Sequence, residues 1–184
     1  MANIILHKYK LNEKDSGFNA PHKYRIAVHS SQPDDYINHI ANIWRNKKDD
    51  VLRLLLQKVK QTTNHQSKFA FAIAPSDTPF FCPDLRTFFL REFPNAIDIT
   101  ECFSKTANTS NTTTNTILTE AELRNRFSID KVLFQQKIDS ATEISFILLL
   151  DDVHALGNTF NGLELLIRDI LPEVSLLTAA ILKT

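Results

Sequence analysis

Two runs of the chain carry no polar residue at all: Phe69 to Ala74, FAFAIA, and Phe146 to Leu150, FILLL. A run without polar alternation suits a strand covered on both faces, as in the middle of a parallel sheet. Shorter β-prone runs stand at Asn3 to Leu6, Tyr24 to His29 and Ala96 to Ile99, and Val174 to Leu182 predicts a last strand. The two nearest the start, separated by the polar stretch Lys10 to His22, predict either a hairpin on a sheet edge or an N-terminal cap.

Between these runs the spacing becomes helical. Ser31, Gln32 and Pro33 form a helix start, and Tyr36, Ile37, Ile40, Ala41 and Trp44 fall on one face. A polar break from Arg45 to Asp50 divides this helix from a second one that carries Val51, Leu54, Leu55 and Val59. Leu85, Phe88 and Phe89 mark a short helix that ends before Pro94. Thr119 and Glu122 match a capping box, and Leu118 with Leu123 a hydrophobic staple, so another helix starts there. Phe160, Leu163, Ile167 and Ile170 give the apolar face of a further helix, closed by Leu171 and Pro172. Thr106 to Thr116, TANTSNTTTNT, cannot bury apolar area and is expected to move.

Strands alternating with helices predict an α/β fold, a mostly parallel central sheet with helices on both faces. One domain covers 1–184, with N-terminal strands and a helix pair in 1–67 and a core in 68–184 that contains a flexible loop at 104–117.

Composition narrows the function classes. Lys plus Arg number 21 and Asp plus Glu 21, so there is no global basic field and no strong nucleic-acid signature. The opening MANIILHKYKLN lacks the apolar stretch of a secretory signal, and no window approaches ~18 consecutive apolar residues, so neither export nor a membrane is expected and the cytoplasm is. The basic cluster Arg45, Lys47, Lys48 adjoins Asp49 and Asp50, which favours a solvated turn over a phosphate site. The only two cysteines, Cys82 and Cys102, read as small buried hydrophobes, and the 13 phenylalanines as an aromatic core. Glycine is scarce, with three in the chain, which gives Gly157 more weight than it would have elsewhere.

The candidate chemistry lies after the second apolar run. Phe146 to Leu150 leads into Asp151 and Asp152, and a short segment then reaches Gly157, Asn158 and Thr159 before helical spacing resumes. Ligands of parallel sheets sit outside the carboxyl ends of the strands, and a loop entering a helix N-terminus can hold an anion. Neighbouring carboxylates accept hydrogen bonds from vicinal hydroxyls, while backbone N–H groups wrap a terminal phosphate. A bare phosphate would be repelled by two acids unless hydroxyls or a divalent cation stood between. The pattern therefore fits a sugar phosphate. The competing reading is a buried strand that ends in a solvated Asp-Asp turn.

Leu148 to Thr159, LLLDDVHALGNT, resembles the phosphoribosyl-pyrophosphate (PRPP) motif of type I phosphoribosyltransferases. The resemblance implies the type I phosphoribosyltransferase-like fold. It also implies that Asp151 and Asp152 hold the ribose 2′ and 3′ hydroxyls, and that Ala155, Leu156, Gly157, Asn158 and Thr159 cradle the 5′-phosphate. Mg²⁺ is the implied cofactor, carried with PRPP and reached indirectly by Asp151 and Asp152. Pro75, Ser76 and Asp77, after the first apolar run, are similar to the family's pyrophosphate loop, in which Ser76 and Asp77 would supply N–H donors; the alternative is a plain strand-to-helix turn capped by Ser76 or Asp77. The segment Thr106 to Thr116 stands where the family has a lid, with a surface insertion as the alternative. His154 within the motif has a useful intrinsic pKa and is the candidate acid or base, with a structural role as the alternative; Glu101 and Lys105 flank the lid.

Arg45, and Arg124 with Asn125 ahead of Phe127, resemble the competence-protein-F-like branch of the family. Departures stand at Ala155 and Leu156, where the family usually has hydroxylated or acidic residues. The implied activity is transfer of phosphoribosyl from PRPP to a nitrogenous acceptor, a glycosyltransferase step in nucleotide metabolism. The alternative is a protein of the same fold that senses a nucleotide or related sugar phosphate. It would be a sensing module or a phage-defence (retron-type) effector acting through a partner, and a homodimer or a protein partner is the assembly expected.

Overall fold

The structure, a computed structural model, describes residues 2–8, 33–63, 68–75, 81–106, 117–139, 144–154 and 157–183. The first elements are β1 (Ala2–Lys8), α1 (Pro33–Thr62), β2 (Ala70–Ile73), α2 (Phe81–Glu92) and β3 (Ile97–Asp98). A 3-10 turn (Thr100–Cys102), β4 (Phe103–Lys105), α3 (Glu120–Arg126), β5 (Phe127–Ile129) and α4 (Lys131–Asp139) follow. The chain then forms β6 (Ile147–His154), α5 (Asn158–Arg168) and β7 (Leu176–Lys183).

Strands β1, β7, β6, β2 and β3 lie side by side in that order, and every pairing between them is parallel. The apolar runs explain the middle of this sheet. Successive side chains of a strand point to opposite faces, and in β6 both sets are covered, since Ile147, Leu148, Leu149 and Leu150 are at most 1% exposed. Leu148 and Leu150 join Phe71, Ile73, Leu177 and Ala179 in a cluster with Leu55 and Val59 of α1 and Leu85 and Phe89 of α2. Ile147 and Leu149 join Ala72 and Ala180 in a second cluster, with Leu163 and Ile167 of α5, Leu123 of α3 and Phe134 of α4. Burial of each leucine contributes roughly 1.5–3 kcal/mol. The result is the expected α/β architecture, a parallel sheet between two helical layers.

Phenylalanine fills the α1/α2 side. The ring of Phe69 stacks on Phe146 with centroids 4.8 Å apart and meets Phe93 edge-on at 5.0 Å. On the other side, β4 and β5 form a separate antiparallel pair, with Ser104 opposite Ser128, and the helix α5 passes close to it. Gly162 of α5 permits that approach, because a Cβ there would come within 2.5 Å of the Phe127 ring.

Three expectations are corrected. The polar stretch Arg45 to Asp50 does not divide two helices: α1 runs unbroken from Pro33 to Thr62. The stretch contains neither glycine nor proline, and arginine and lysine are good helix formers, so its polarity changes exposure without breaking the backbone. Lys48 reaches across to Asp84 of α2 at 3.4 Å, and Asp50 stands 3.8 Å from Arg53. The sixth strand does not stop at Leu150 but carries Asp151 to His154 within it, because β7 continues beside it and supplies the ladder. Ser104 and Lys105, placed in a flexible loop by their polarity, are paired in β4 against β5, where the buried Phe103 anchors the strand. The run at Tyr24 to His29 and residues 107–116 lie outside the described residues; the strand at the chain's start pairs along the edge of the sheet with β7.

Candidate functional site

The sheet reverses its direction of winding between β2 and β6. From β2 the chain crosses through α2 to β3 on one side, whereas β6, β7 and β1 lie on the other. Such a switch point leaves a crevice outside the carboxyl ends of the two central strands, where ligands of open α/β sheets bind. Here the last pair across the seam is Ile73 with Leu150, and the Ala74 N–H donates to the Leu150 carbonyl at 2.7 Å. Beyond that point β6 continues, and Asp151, Val153 and His154 pair with Ala180, Leu182 and Lys183 of β7. Among the described residues no strand flanks Asp151 to His154 on the β2 side.

Asp151 is therefore the first residue of β6 past the seam. It is 7% exposed, and strand alternation sets it on the face of Ile147 and Leu149, together with its register partner Ala180. That is the face covered by α5. A carboxylate buried to this degree is costly unless hydrogen-bonded donors surround it.

Helix α5 starts in a manner suited to an anion. Gly157 is its N-cap, at φ 76 and ψ 4, in the left-handed region that favours glycine. Its carbonyl accepts the first helical bond, from Asn161 N–H at 2.9 Å. The N–H groups of the first turn have no partner within the helix and carry the positive end of its dipole. Phe160, Leu163, Leu166 and Ile167 bury the opposite face, which fixes the helix on the sheet. Asn158 has a second role that its sequence position did not reveal. Its Oδ1 accepts from the Leu118 N–H at 3.0 Å, tying α5 to the segment that enters α3.

On its other side, β2 is finished by a side chain. Ile99 N–H donates to Phe71 O at 2.9 Å, but the chain then turns, and the Ile99 carbonyl takes Cys102 N–H at 3.1 Å. The next donor of β2, Ile73 N–H, goes to the Thr100 hydroxyl at 3.2 Å. Thr100 N–H donates to Asp98 Oδ1 at 2.9 Å, Asp98 Oδ2 accepts from Arg86 Nε, and Arg86 Nη2 donates to Glu101 Oε1 at 2.6 Å. Lys137 Nζ donates to the Asp98 carbonyl at 2.8 Å. Glu101, noted earlier beside the lid segment, thus belongs to this network, and its hydrogen bond is the first cause of a raised Arg86 pKa. Thr100 and Asp98 were not singled out from sequence. The signal was present in Asp98-Ile99-Thr100, since an aspartate commonly caps the N–H two residues on.

Of the arginines of α3, Arg124 is engaged elsewhere and Arg126 is buried. Arg124 pairs with Glu120 at 2.8 Å and with Asp169 at 3.1 Å, and Arg126 is 8% exposed. Burial raises the thiol pKa of both Cys82 and Cys102. Of the residues expected in the site, the structure thus brings the end of β2 at Ala74 and Pro75, Asp151 and the Gly157, Asn158 and Thr159 start of α5 to the carboxyl side of the sheet. Ser76, Asp77, Ala155 and Leu156 lie outside the described residues, as do the side chains of Asp152 and His154. Among the described residues no cluster of three or more metal-ligating side chains is found, and no helix is long and apolar enough to cross a membrane. No protein-family model and no curated protein matches the chain in sequence.

Proposed function

We propose that the chain is a type I phosphoribosyltransferase-like protein that binds PRPP with Mg²⁺ in the crevice between the carboxyl ends of β2 and β6 and transfers phosphoribosyl to a nitrogenous acceptor. One observation carries the reading: the acidic pair lies on the strand at the sheet's switch point, Asp151 stands where the β2 seam ends, and the Gly157 turn follows that strand.

In this reading the Asp151 carboxylate accepts hydrogen bonds from ribose hydroxyls. The first turn of α5, at the positive end of the helix dipole, meets the 5′-phosphate. The pyrophosphate lies toward the end of β2, as the resemblance of Pro75, Ser76 and Asp77 to the family's pyrophosphate loop implies. Carboxylate and phosphate oxygens are the hard donors that suit Mg²⁺, which Asp151 and Asp152 would reach indirectly and which would supply positive charge beside the pyrophosphate. The protein's own contribution is positioning and fixed dipoles aimed at the developing charge.

A second reading rests on Ala155 and Leu156, which bring no side-chain donor or acid to the phosphate turn. In that reading the same crevice senses PRPP or a related nucleotide and acts through a partner, as a defence effector would.

Isothermal titration with PRPP and Mg²⁺, followed by pyrophosphate-release assays over a panel of nitrogenous bases, separates the two. Turnover supports the transferase, and binding without turnover the sensor. The Asp151→Asn, Asp152→Asn double variant is expected to lose PRPP binding with little change in melting temperature. Unchanged affinity would remove the sugar-phosphate site altogether.

A further inference from the structure

We infer that Asn158 is a positioning residue for the phosphate end of this site, holding the Thr159 N–H in place from α3. The inference rests on the PRPP reading above and deepens it, since it gives Asn158 a task other than touching the ligand. Thr159 is half-buried in the first turn of α5, and its N–H makes no hydrogen bond among the described residues. It is a donor that an anion at the positive end of the helix would meet.

Such a donor serves an oriented ligand only while its direction is fixed. Two bonds fix this one. The Gly157 carbonyl accepts from Asn161 N–H at 2.9 Å and closes the first turn. The Asn158 Oδ1 accepts from Leu118 N–H at 3.0 Å and ties the same turn to the segment that enters α3. Because the partner is an N–H, the amide oxygen of Asn158 is committed to α3.

The far side of that bond is itself held. Leu118 packs on the core cluster that α5 shares with the sheet, and Thr119 caps α3 in a reciprocal exchange with Glu122. At its other end α3 is tied to the C-cap of α5, where Arg124 pairs with Asp169 at 3.1 Å. Of these two ties between the helices, only the one at Asn158 adjoins the phosphate. Linkage then requires that an anion which needs the first turn in place also steadies the bond that keeps it there.

The test is titration of the full chain and its variants with ribose 5-phosphate, joined to amide hydrogen exchange. Asn158→Ala is expected to weaken ribose 5-phosphate about fivefold, and Arg124→Met, which releases the other tie, to leave its affinity within about twofold. In the unmodified chain, saturating ribose 5-phosphate is expected to slow exchange at Leu118 about fivefold more than at Asp169, whose N–H bonds to the Leu165 carbonyl at 3.2 Å at the far end of α5. Unchanged affinity in Asn158→Ala, or equal slowing at the two amides, would overturn the inference while the PRPP reading stands. Weakening by Asn158→Ala without slowed exchange at Leu118 would make Asn158 a direct ligand contact and overturn the positioning role. Failure of the unmodified chain to bind PRPP or ribose 5-phosphate would overturn both. The exchange measurement needs no variant, so it decides the matter even where Asn158→Ala does not fold.

Discussion

Gly162 of α5 lies against the ring of Phe127 of β5, where an added Cβ would stand 2.5 Å from Cδ2 and 2.9 Å from Cε2. Phe127 is 1% exposed, so its ring cannot swing out into solvent. Alanine at this position would gain about 1 kcal/mol of helix propensity but would overpack the contact by about 1–3 kcal/mol. Gly162→Ala is therefore expected to lower stability in urea denaturation, contrary to the usual effect of glycine to alanine in a helix. Phe127→Leu in the same chain is expected to recover part of the loss.

The bond from Leu118 N–H to Asn158 Oδ1 joins positions separated by 40 residues. Asn158→Ala leaves a half-buried donor without its acceptor and is expected to cost about 1 kcal/mol. Asn158→Asp keeps the acceptor and is expected to cost less. Amide hydrogen exchange at Leu118 checks this directly, with faster exchange in the alanine variant only.

Two carboxyls are held below their ordinary range in the folded chain. Glu122 is lowered chiefly by its hydrogen bonds with the Thr119 side chain and backbone, within a complete capping box, and Asp169 chiefly by its hydrogen bond with Arg124. A depressed folded pKa means that the unfolded chain takes up protons first, so stability is present above about pH 4 and declines as pH falls toward the lower folded values. Carbon-detected NMR titration is expected to show both groups titrating low. Arg124→Met should return Asp169 to the usual range while leaving Glu122 near its wild-type value.

Asn46, exposed on α1, tests the continuity of that helix. Within a helix, proline removes a hydrogen bond and clashes with the preceding turn, so Asn46→Pro is expected to cost about 3 kcal/mol. In a polar connection between two helices the same change would be nearly neutral. Thermal melting distinguishes the two.

The strands were legible because burial on both faces leaves an unmistakable apolar run, as in Phe146 to Leu150, and because turn residues bound it. The capping box at Thr119 and Glu122 was legible for a different reason, since it is a short-range exchange of hydrogen bonds between fixed chain positions. What was hidden depended on partners distant in sequence. Polarity at Arg45 to Asp50 looked like an interruption, whereas α2 supplies Asp84 opposite Lys48. Asp151 looked like a loop residue until β7 was seen to extend beside it. The role of Thr100 arises where β3 turns away from β2, and a ladder that ends early leaves no trace in either strand's own composition. The placement of the acidic pair at the carboxyl side of a central strand was readable from sequence; the anchoring of the neighbouring strand was not.

The pairing of Ala2 with Leu177 and of Lys8 with Lys183 has a kinetic side. Among the described strands, the earliest in the chain has the latest as its neighbour, so this edge cannot zip until synthesis has passed both. Contacts of such span carry a large loop-closure entropy and form slowly. A nascent chain halted before β7 would hold β1 without its template, and docking of that first strand is expected to be the late, slow phase of refolding.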